Sequence, residues 1–129
     1  MARVLVVEDD PGVRRMLELM LAAEGYEAES ASDGREALHR LDAPPPDLVI
    51  LDVMMPGADG FTVLRELRTR DGWETVPVVV TTALGTDQDM WQGWQSGADY
   101  YLVKPFSIEE LRAIVVRLLT AAPGPVDDA

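Results

Sequence analysis

Five short apolar runs alternate along the chain with segments of helical period, which is the pattern of successive βα units. The second run is weak, whereas the third and fourth contain almost no polar residue. Such continuous aliphatic runs are typical of strands that helices cover on both faces. The predicted strands are residues 4–7, 26–30, 48–51, 76–80 and 100–103.

The segments between these runs carry apolar residues three and four positions apart, which predicts helices. Pro11 suits a first helical turn, Asp10 is a candidate cap, and Gly25 ends the first helix. The second helix follows Asp33 and cannot continue through the three prolines at 44–46. The apolar positions of the five predicted helices lie within residues 13–21, 37–41, 61–67, 90–94 and 108–119.

This order of elements predicts an α/β fold, (βα)₅, with a doubly wound parallel five-stranded sheet in a three-layer sandwich. Right-handed crossovers favour the flavodoxin-like strand order 2-1-3-4-5. Ligands of such folds bind at the carboxyl ends of the strands, so the polar residues that follow each apolar run are the candidate site. They are Glu8, Asp9 and Asp10 after the first strand, Asp52 after the third, Thr81 and Thr82 after the fourth, and Lys104 after the fifth.

Carboxylates from adjacent strand ends at ~5 Å repel by about 3 kcal/mol per pair at an effective dielectric constant near 20. A cation is therefore expected there, and oxygen ligands without nearby histidine or cysteine favour Mg²⁺, for which Mn²⁺ could substitute. A divalent ion, a hydroxyl and an ammonium around one carboxylate are the parts that phosphoryl transfer needs. Asp52 is the natural nucleophile and would form an aspartyl phosphate. Lys104 is the one lysine among eleven basic residues.

Composition narrows the classes of function. The chain has 129 residues, of which 47% are hydrophobic and 26% charged, which suits one compact domain. A net charge of −12 opposes binding of nucleic acid or anionic membranes by this domain. The absence of cysteine excludes disulfides and thiolate chemistry. No signal sequence or membrane span is predicted, so a cytoplasmic location is expected.

Four motifs surround the candidate site, namely residues 6–11 (VVEDDP), 51–60 (LDVMMPGADG), 82–83 (TA) and 104–106 (KPF). Together they resemble the response-regulator receiver domain of two-component signalling. The resemblance covers about residues 3–120, and it implies a receiver domain over 1–122 with 123–129 as a flexible tail or linker stub. The chain is then a signalling switch rather than a conventional enzyme, although it would catalyse its own phosphoryl transfer and slow dephosphorylation.

The resemblance also implies roles for individual residues. Asp52 would take its phosphoryl group from a sensor histidine kinase or a histidine phosphotransfer protein. The implied Mg²⁺ ligands are Asp9, Asp52 and the Met54 carbonyl, with Glu8 acting through water. Thr82 and Tyr101 would be the switch pair beside Lys104, and the Lys104–Pro105 peptide bond would be cis.

Further expectations concern the switched state. The surface of the predicted fourth helix, the fifth strand and the last helix would control a partner or output domain. The resemblance to winged-helix transcription factors would imply dimerisation through paired charges on this surface. Here the predicted fourth helix carries glutamines and acids, and Ile114 stands where those relatives usually carry an arginine, so a mostly monomeric protein is expected. The resemblance also places Met54 and Leu84 beside the acyl phosphate. Their apolar side chains cannot orient water, so they should slow its hydrolysis.

Three alternatives stay open at this point. The chain could be the N-terminal receiver of a longer DNA-binding regulator. A haloacid-dehalogenase-like phosphatase also uses an aspartate, Mg²⁺, a threonine and a lysine, but it needs a second aspartate where this chain has Met54. A flavodoxin would need a hydroxyl-rich phosphate loop after the first strand, where this chain has three acids.

Overall fold

A computed structural model describes residues 1–53, 60–83 and 97–120 of the chain. Its five strands form one parallel sheet in the order β2-β1-β3-β4-β5, which confirms the predicted α/β topology. The strands are β1 Arg3–Val7, β2 Glu27–Ala31, β3 Leu48–Asp52, β4 Val78–Thr82 and β5 Tyr100–Val103. The described helices are α1 Pro11–Ala23, α2 Gly34–Arg40, α3 Gly60–Thr69 and α4 Ile108–Thr120. The predicted helix at 90–94 and the predicted tail lie outside the described residues.

Strand β4 begins and ends two residues later than the sequence predicts. Pro77 has no N–H to donate to a ladder, and the N–H of Val76 instead donates to the Trp73 carbonyl in a turn. At the other end, Thr81 and Thr82 belong to the strand instead of following it. The hydroxyl side chains therefore stand on the sheet, where the ladder fixes their backbone.

Helix α1 begins as predicted, with Asp10 as its cap. Asp10 Oδ1 accepts hydrogen bonds from the N–H groups of Gly12 and Val13. Pro11 occupies the first helical position, where a missing N–H costs nothing. The helix ends at Ala23, and Gly25 then adopts a φ of 84°, a left-handed conformation that favours glycine. The cap thus fixes the position of the chain where the acidic residues lead into α1.

The sheet separates two hydrophobic clusters, and successive strand residues point alternately into them. One cluster lies between the sheet and helices α2 and α3 and includes Val80 and Tyr101. The other lies between the sheet and helices α1 and α4 and includes Val79 and Leu102. Strands β3 and β4 are buried along their whole length, as their apolar composition predicts. No helix in the described ranges is both long and apolar enough to span a membrane.

Arg68, near the end of α3, binds the segment that leads into β5. Its guanidinium donates to the Gly97 carbonyl at 2.6 Å and to Asp99 Oδ2 at 2.8 Å. It also donates to the carbonyls of three residues in the α3–β4 connection, namely Trp73, Glu74 and Val76. Asp99 Oδ2 in turn accepts the N–H of Val78 at the start of β4. This contact network, the Arg68 clamp, joins α3 to the beginning of β4 and β5.

Candidate functional site

Three carboxylates meet at the carboxyl ends of β1 and β3. Glu8 follows β1, with its N–H bound to the Ala31 carbonyl, and Asp52 is the last residue of β3. Glu8, Asp9 and Asp52 each offer an oxygen within 4.8 Å of the others. Glu8 and Asp52 are 1% and 2% exposed, whereas Asp9 is half-buried. The structure therefore brings together the acids that the parallel topology predicts to be neighbours.

Lys104 reaches into this acidic cluster from the end of β5. Its backbone N–H donates to the Thr82 carbonyl at 2.7 Å, and the Lys104–Pro105 bond is cis, as the family resemblance implies. Its Nζ donates to Glu8 Oε1 and to Asp52 Oδ2, both at 3.2 Å. One ammonium thus bridges the ends of the two strands that carry the buried acids.

The site remains short of positive charge even with the lysine in place. Burial and the neighbouring Asp52 carboxylate raise the pKa of Glu8 to about 7, against the opposing effects of the Asp10 N–H and Lys104. Burial lowers the pKa of Lys104, but the attraction of Asp52 and Glu8 outweighs this and raises it overall. Three carboxylates facing one ammonium suit a further cation. A donor set made of carboxylate oxygens fits a hard ion such as Mg²⁺ or Mn²⁺.

The loop that carries the acids is held from helix α1. Asp10 is exposed and caps the helix, and its N–H donates to Glu8 Oε2 at 3.2 Å. Arg14, one turn into α1, donates from Nη1 to the Glu8 carbonyl at 2.8 Å. Sequence reasoning missed Arg14. The one available signal was a basic residue four positions after the cap, a spacing that brings a long side chain back over the helix start.

The remaining predicted residues lie on β4 and β5 or outside the described ranges. Thr82 is fully buried at the end of β4. Tyr101 is 6% exposed and packs into the cluster on the α3 side of the sheet, whereas the preceding Tyr100 is 41% exposed. The predicted residues Met54 and Leu84 lie outside the described residues.

A sequence profile decides the family. The profile of the response regulator receiver domain matches residues 4–116, which is most of the chain. The chain belongs to the response regulator receiver family. It is therefore a receiver domain of two-component signalling, and this membership favours a signalling protein over the phosphatase and flavodoxin alternatives.

Among its relatives are transcriptional regulators that carry more than a receiver. The chain is 43% identical over 119 residues to the DNA-binding dual master transcriptional regulator RpaA of Synechocystis, covering 92% of this chain and 49% of that protein. It is 46% identical over 117 residues to response regulator MprA of Mycolicibacterium vanbaalenii, covering 91% and 50% respectively. The receiver thus spans about half the length of these relatives.

Solved receiver structures share the fold over nearly their whole length. The chemotaxis protein CheY4 of Vibrio cholerae matches with a TM-score of 0.86 and 36% identity, covering 92% of this chain and 99% of that one. The receiver domain of sensor histidine kinase PA1611 from Pseudomonas aeruginosa, whose active-site cleft holds magnesium, matches with a TM-score of 0.84 and 31% identity. That match covers 93% of this chain and 98% of that one.

Proposed function

We propose that this receiver is a phosphorylation-activated switch whose phosphoryl acceptor is Asp52. The observation that carries the proposal is the position of Lys104 Nζ, 3.2 Å from a carboxylate oxygen of both Glu8 and Asp52. A buried carboxylate beside an ammonium and two further acids can act as a nucleophile toward phosphorus. The lysine ammonium stabilises the negative charge on the phosphoryl oxygens during the attack.

The donor is a phosphohistidine on a sensor histidine kinase or a histidine phosphotransfer protein. An Asp52 oxygen forms the new O–P bond, and the N–P bond of the donor breaks with its electron pair passing to the imidazole. Lys104 holds the acceptor carboxylate in place and stabilises the phosphoryl oxygens. The Thr82 hydroxyl and Tyr101 form the switch that responds to the new group. The histidine belongs to the partner, because the chain's one histidine, His39, lies in the last turn of α2 and not among the strand ends that carry Asp52.

The cation site consists of Asp9 and Asp52 as direct ligands, with Glu8 acting through water. The Met54 carbonyl, outside the described residues, is the further ligand implied by family membership. When bound, Mg²⁺ would neutralise part of the charge on the phosphoryl oxygens, and Mn²⁺ could replace it. Magnesium in the active-site cleft of the PA1611 receiver supports this assignment.

The output is control of another protein or domain through the surface of the predicted fourth helix, β5 and α4. Because relatives such as RpaA are DNA-binding regulators about twice as long, we favour a role as the regulatory half of a cytoplasmic transcriptional regulator. The receiver, over residues 1–122, does not itself bind DNA or membranes, given the net charge of −12 of the chain. It stays mostly monomeric after phosphorylation, which light scattering with beryllofluoride would test.

Acetyl phosphate and Mg²⁺ provide the direct test of Asp52. Intact-mass measurement should show the addition of one phosphoryl group to the parent protein, and none with Asp52→Asn or with EDTA. Asp71→Asn is the matched control, since Asp71 is exposed in the turn after α3 and should not affect labelling. Labelling that persists in Asp52→Asn would show that another residue is the acceptor.

A further inference from the structure

Arg14 makes three hydrogen bonds to the backbone of the acidic triplet, two from its guanidinium and one from its backbone N–H. Its Nη1 donates to the Glu8 carbonyl at 2.8 Å and to the Asp9 carbonyl at 3.5 Å. Its backbone N–H donates to the Asp10 carbonyl at 2.9 Å. The bond to Asp10 is the first-turn helical bond that any residue at this position makes, so the side chain itself contributes the contacts with the Glu8 and Asp9 carbonyls. These two contacts restrain the peptide planes next to the two acidic residues.

The acidic cluster needs such a restraint because its members repel one another. The oxygens of Glu8, Asp9 and Asp52 lie within 4.8 Å, and Lys104 supplies one positive charge against them. Asp52 is held in the sheet by the β3 ladder, whereas Asp9 lies in the connection between β1 and α1. Asp9 is thus the acidic residue of the site that no strand ladder holds, and Arg14 holds the backbone there together with the α1 cap.

We infer that Arg14 is a positioning residue for the cation site, acting through the main chain of Glu8 and Asp9. The inference rests on the proposed binding of Mg²⁺ by this cluster. Arg14 touches neither the cation nor the phosphoryl group. It keeps the two acidic side chains close to their binding arrangement before the ion arrives, which reduces the ordering that binding must impose.

The charge of Arg14 and its positioning role have opposite effects on cation binding. Removal of a nearby positive charge by itself strengthens the binding of a cation to carboxylates. Loss of the backbone restraint weakens it. Direct hydrogen-bond partners of metal ligands typically contribute about 10–100-fold to affinity, and a contact that acts through the main chain should contribute less. For Arg14→Met we expect the Mg²⁺ dissociation constant to rise at least about fivefold.

Isothermal titration calorimetry with Mg²⁺ on the full chain measures this effect without any phosphoryl transfer. Arg15→Met is the matched control. It removes the same charge from the next position of α1, where the arginine is exposed and pairs with Glu18 at 3.8 Å. Arg15→Met should leave the dissociation constant within about twofold of the parent. Arg14→Lys, which keeps the charge and a single donor group, should lie between the parent and Arg14→Met.

Each outcome has a distinct meaning. If the dissociation constant of Arg14→Met is no higher than that of Arg15→Met while its unfolding temperature falls in a thermal melt, Arg14 is merely structural. Binding tighter than that of the parent would show a charge effect alone. Either result overturns the inference and leaves the proposed cation site standing. A parent protein that binds no Mg²⁺ overturns the cation site and the inference together. If Arg14→Met is unfolded at the assay temperature, Arg14→Lys decides, with a rise of at least about twofold expected and an unchanged value contradicting the inference.

Discussion

Replacing Glu8 by glutamine should stabilise the metal-free receiver at alkaline pH, even though Glu8 belongs to the proposed cation site. Burial and the Asp52 carboxylate raise the pKa of Glu8 from its ordinary 4.5 to about 7. Between these values the folded chain holds a proton that the unfolded chain has released. Stability of the parent therefore falls as the pH rises from 4.5 to 7, and the loss is complete above pH 7.

The size of this effect follows from the displacement of the Glu8 pKa. A difference of about 2.5 pH units corresponds to about 3 kcal/mol at 1.36 kcal/mol per unit. Glutamine keeps the size of the side chain and an oxygen for the Asp10 N–H, which now donates to Glu8 Oε2. The hydrogen bond that Glu8 Oε1 accepts from Lys104 Nζ is lost, because an amide N–H₂ group takes the place of that oxygen. Since this loss offsets about 1 kcal/mol of the gain, the free energy of unfolding of Glu8→Gln at pH 8 should exceed that of the parent by about 2 kcal/mol. At pH 5 the gain should be below about 1 kcal/mol.

Urea unfolding in EDTA, followed by tryptophan fluorescence, to which the buried Trp73 contributes, measures both values. Glu110→Gln is the control with the same change of net charge, because Glu110 is exposed on α4 and should alter stability by no more than about 0.5 kcal/mol. A gain in Glu8→Gln that is below 1 kcal/mol at pH 8, or that is equal at pH 5 and pH 8, would refute the electrostatic reasoning.

Three further predictions concern the cap, the clamp and the phosphorylated state. Asp10→Ala should lower the free energy of unfolding by about 1 kcal/mol through loss of the α1 cap. It should weaken Mg²⁺ binding less than Asp9→Ala does, and calorimetry that shows the reverse order would make Asp10 the direct ligand. Arg68→Met should lower the free energy of unfolding by about 3 kcal/mol, because it leaves several carbonyls of the Arg68 clamp without their donor. An unfolding temperature within error of that of the parent would contradict this prediction. Joint replacement of Met54 by Asn and Leu84 by Glu should speed loss of the phosphoryl group at least about tenfold, a barrier change of ~1.4 kcal/mol. An unchanged decay in a single-turnover assay would show that water orientation at these two positions does not set the lifetime of the phosphorylated state.

The sequence predicts the sheet because its signals are local and strong. Continuous aliphatic runs mark β3 and β4, and the rule that parallel strands end at one edge is enough to bring Asp52 and Lys104 together from 52 positions apart. The limits of β4 were less predictable. The apolar run begins at Val76, but the missing N–H of Pro77 delays the ladder until Val78, a backbone effect that hydrophobicity does not record.

Contacts made by long polar side chains could not be predicted in the same way. Arg68 appears in the sequence as an ordinary charged residue of a helix, and its partner Gly97 becomes a neighbour only in the folded chain, 29 positions away. Arg14 has local partners, but its spacing from the cap does not show which carbonyls it contacts. Trp73 stands in a polar segment and shows no periodicity, yet it is 2% exposed and donates from its indole to the Ala43 carbonyl at 3.3 Å. Its burial results from the approach of two connections that lie 30 positions apart in the chain.

The division of the interior by the sheet has a consequence for how this protein can change. Substitutions in groups that share no contacts usually have additive effects on stability, whereas neighbours within a group compensate or aggravate one another. The layer under α2 and α3 and the layer under α1 and α4 are two such groups, with Val80 and Val79 facing opposite ways. Either layer can therefore accumulate replacements and repack on its own. The edge where Asp52 and Lys104 meet is preserved as long as the strands between the layers keep their register.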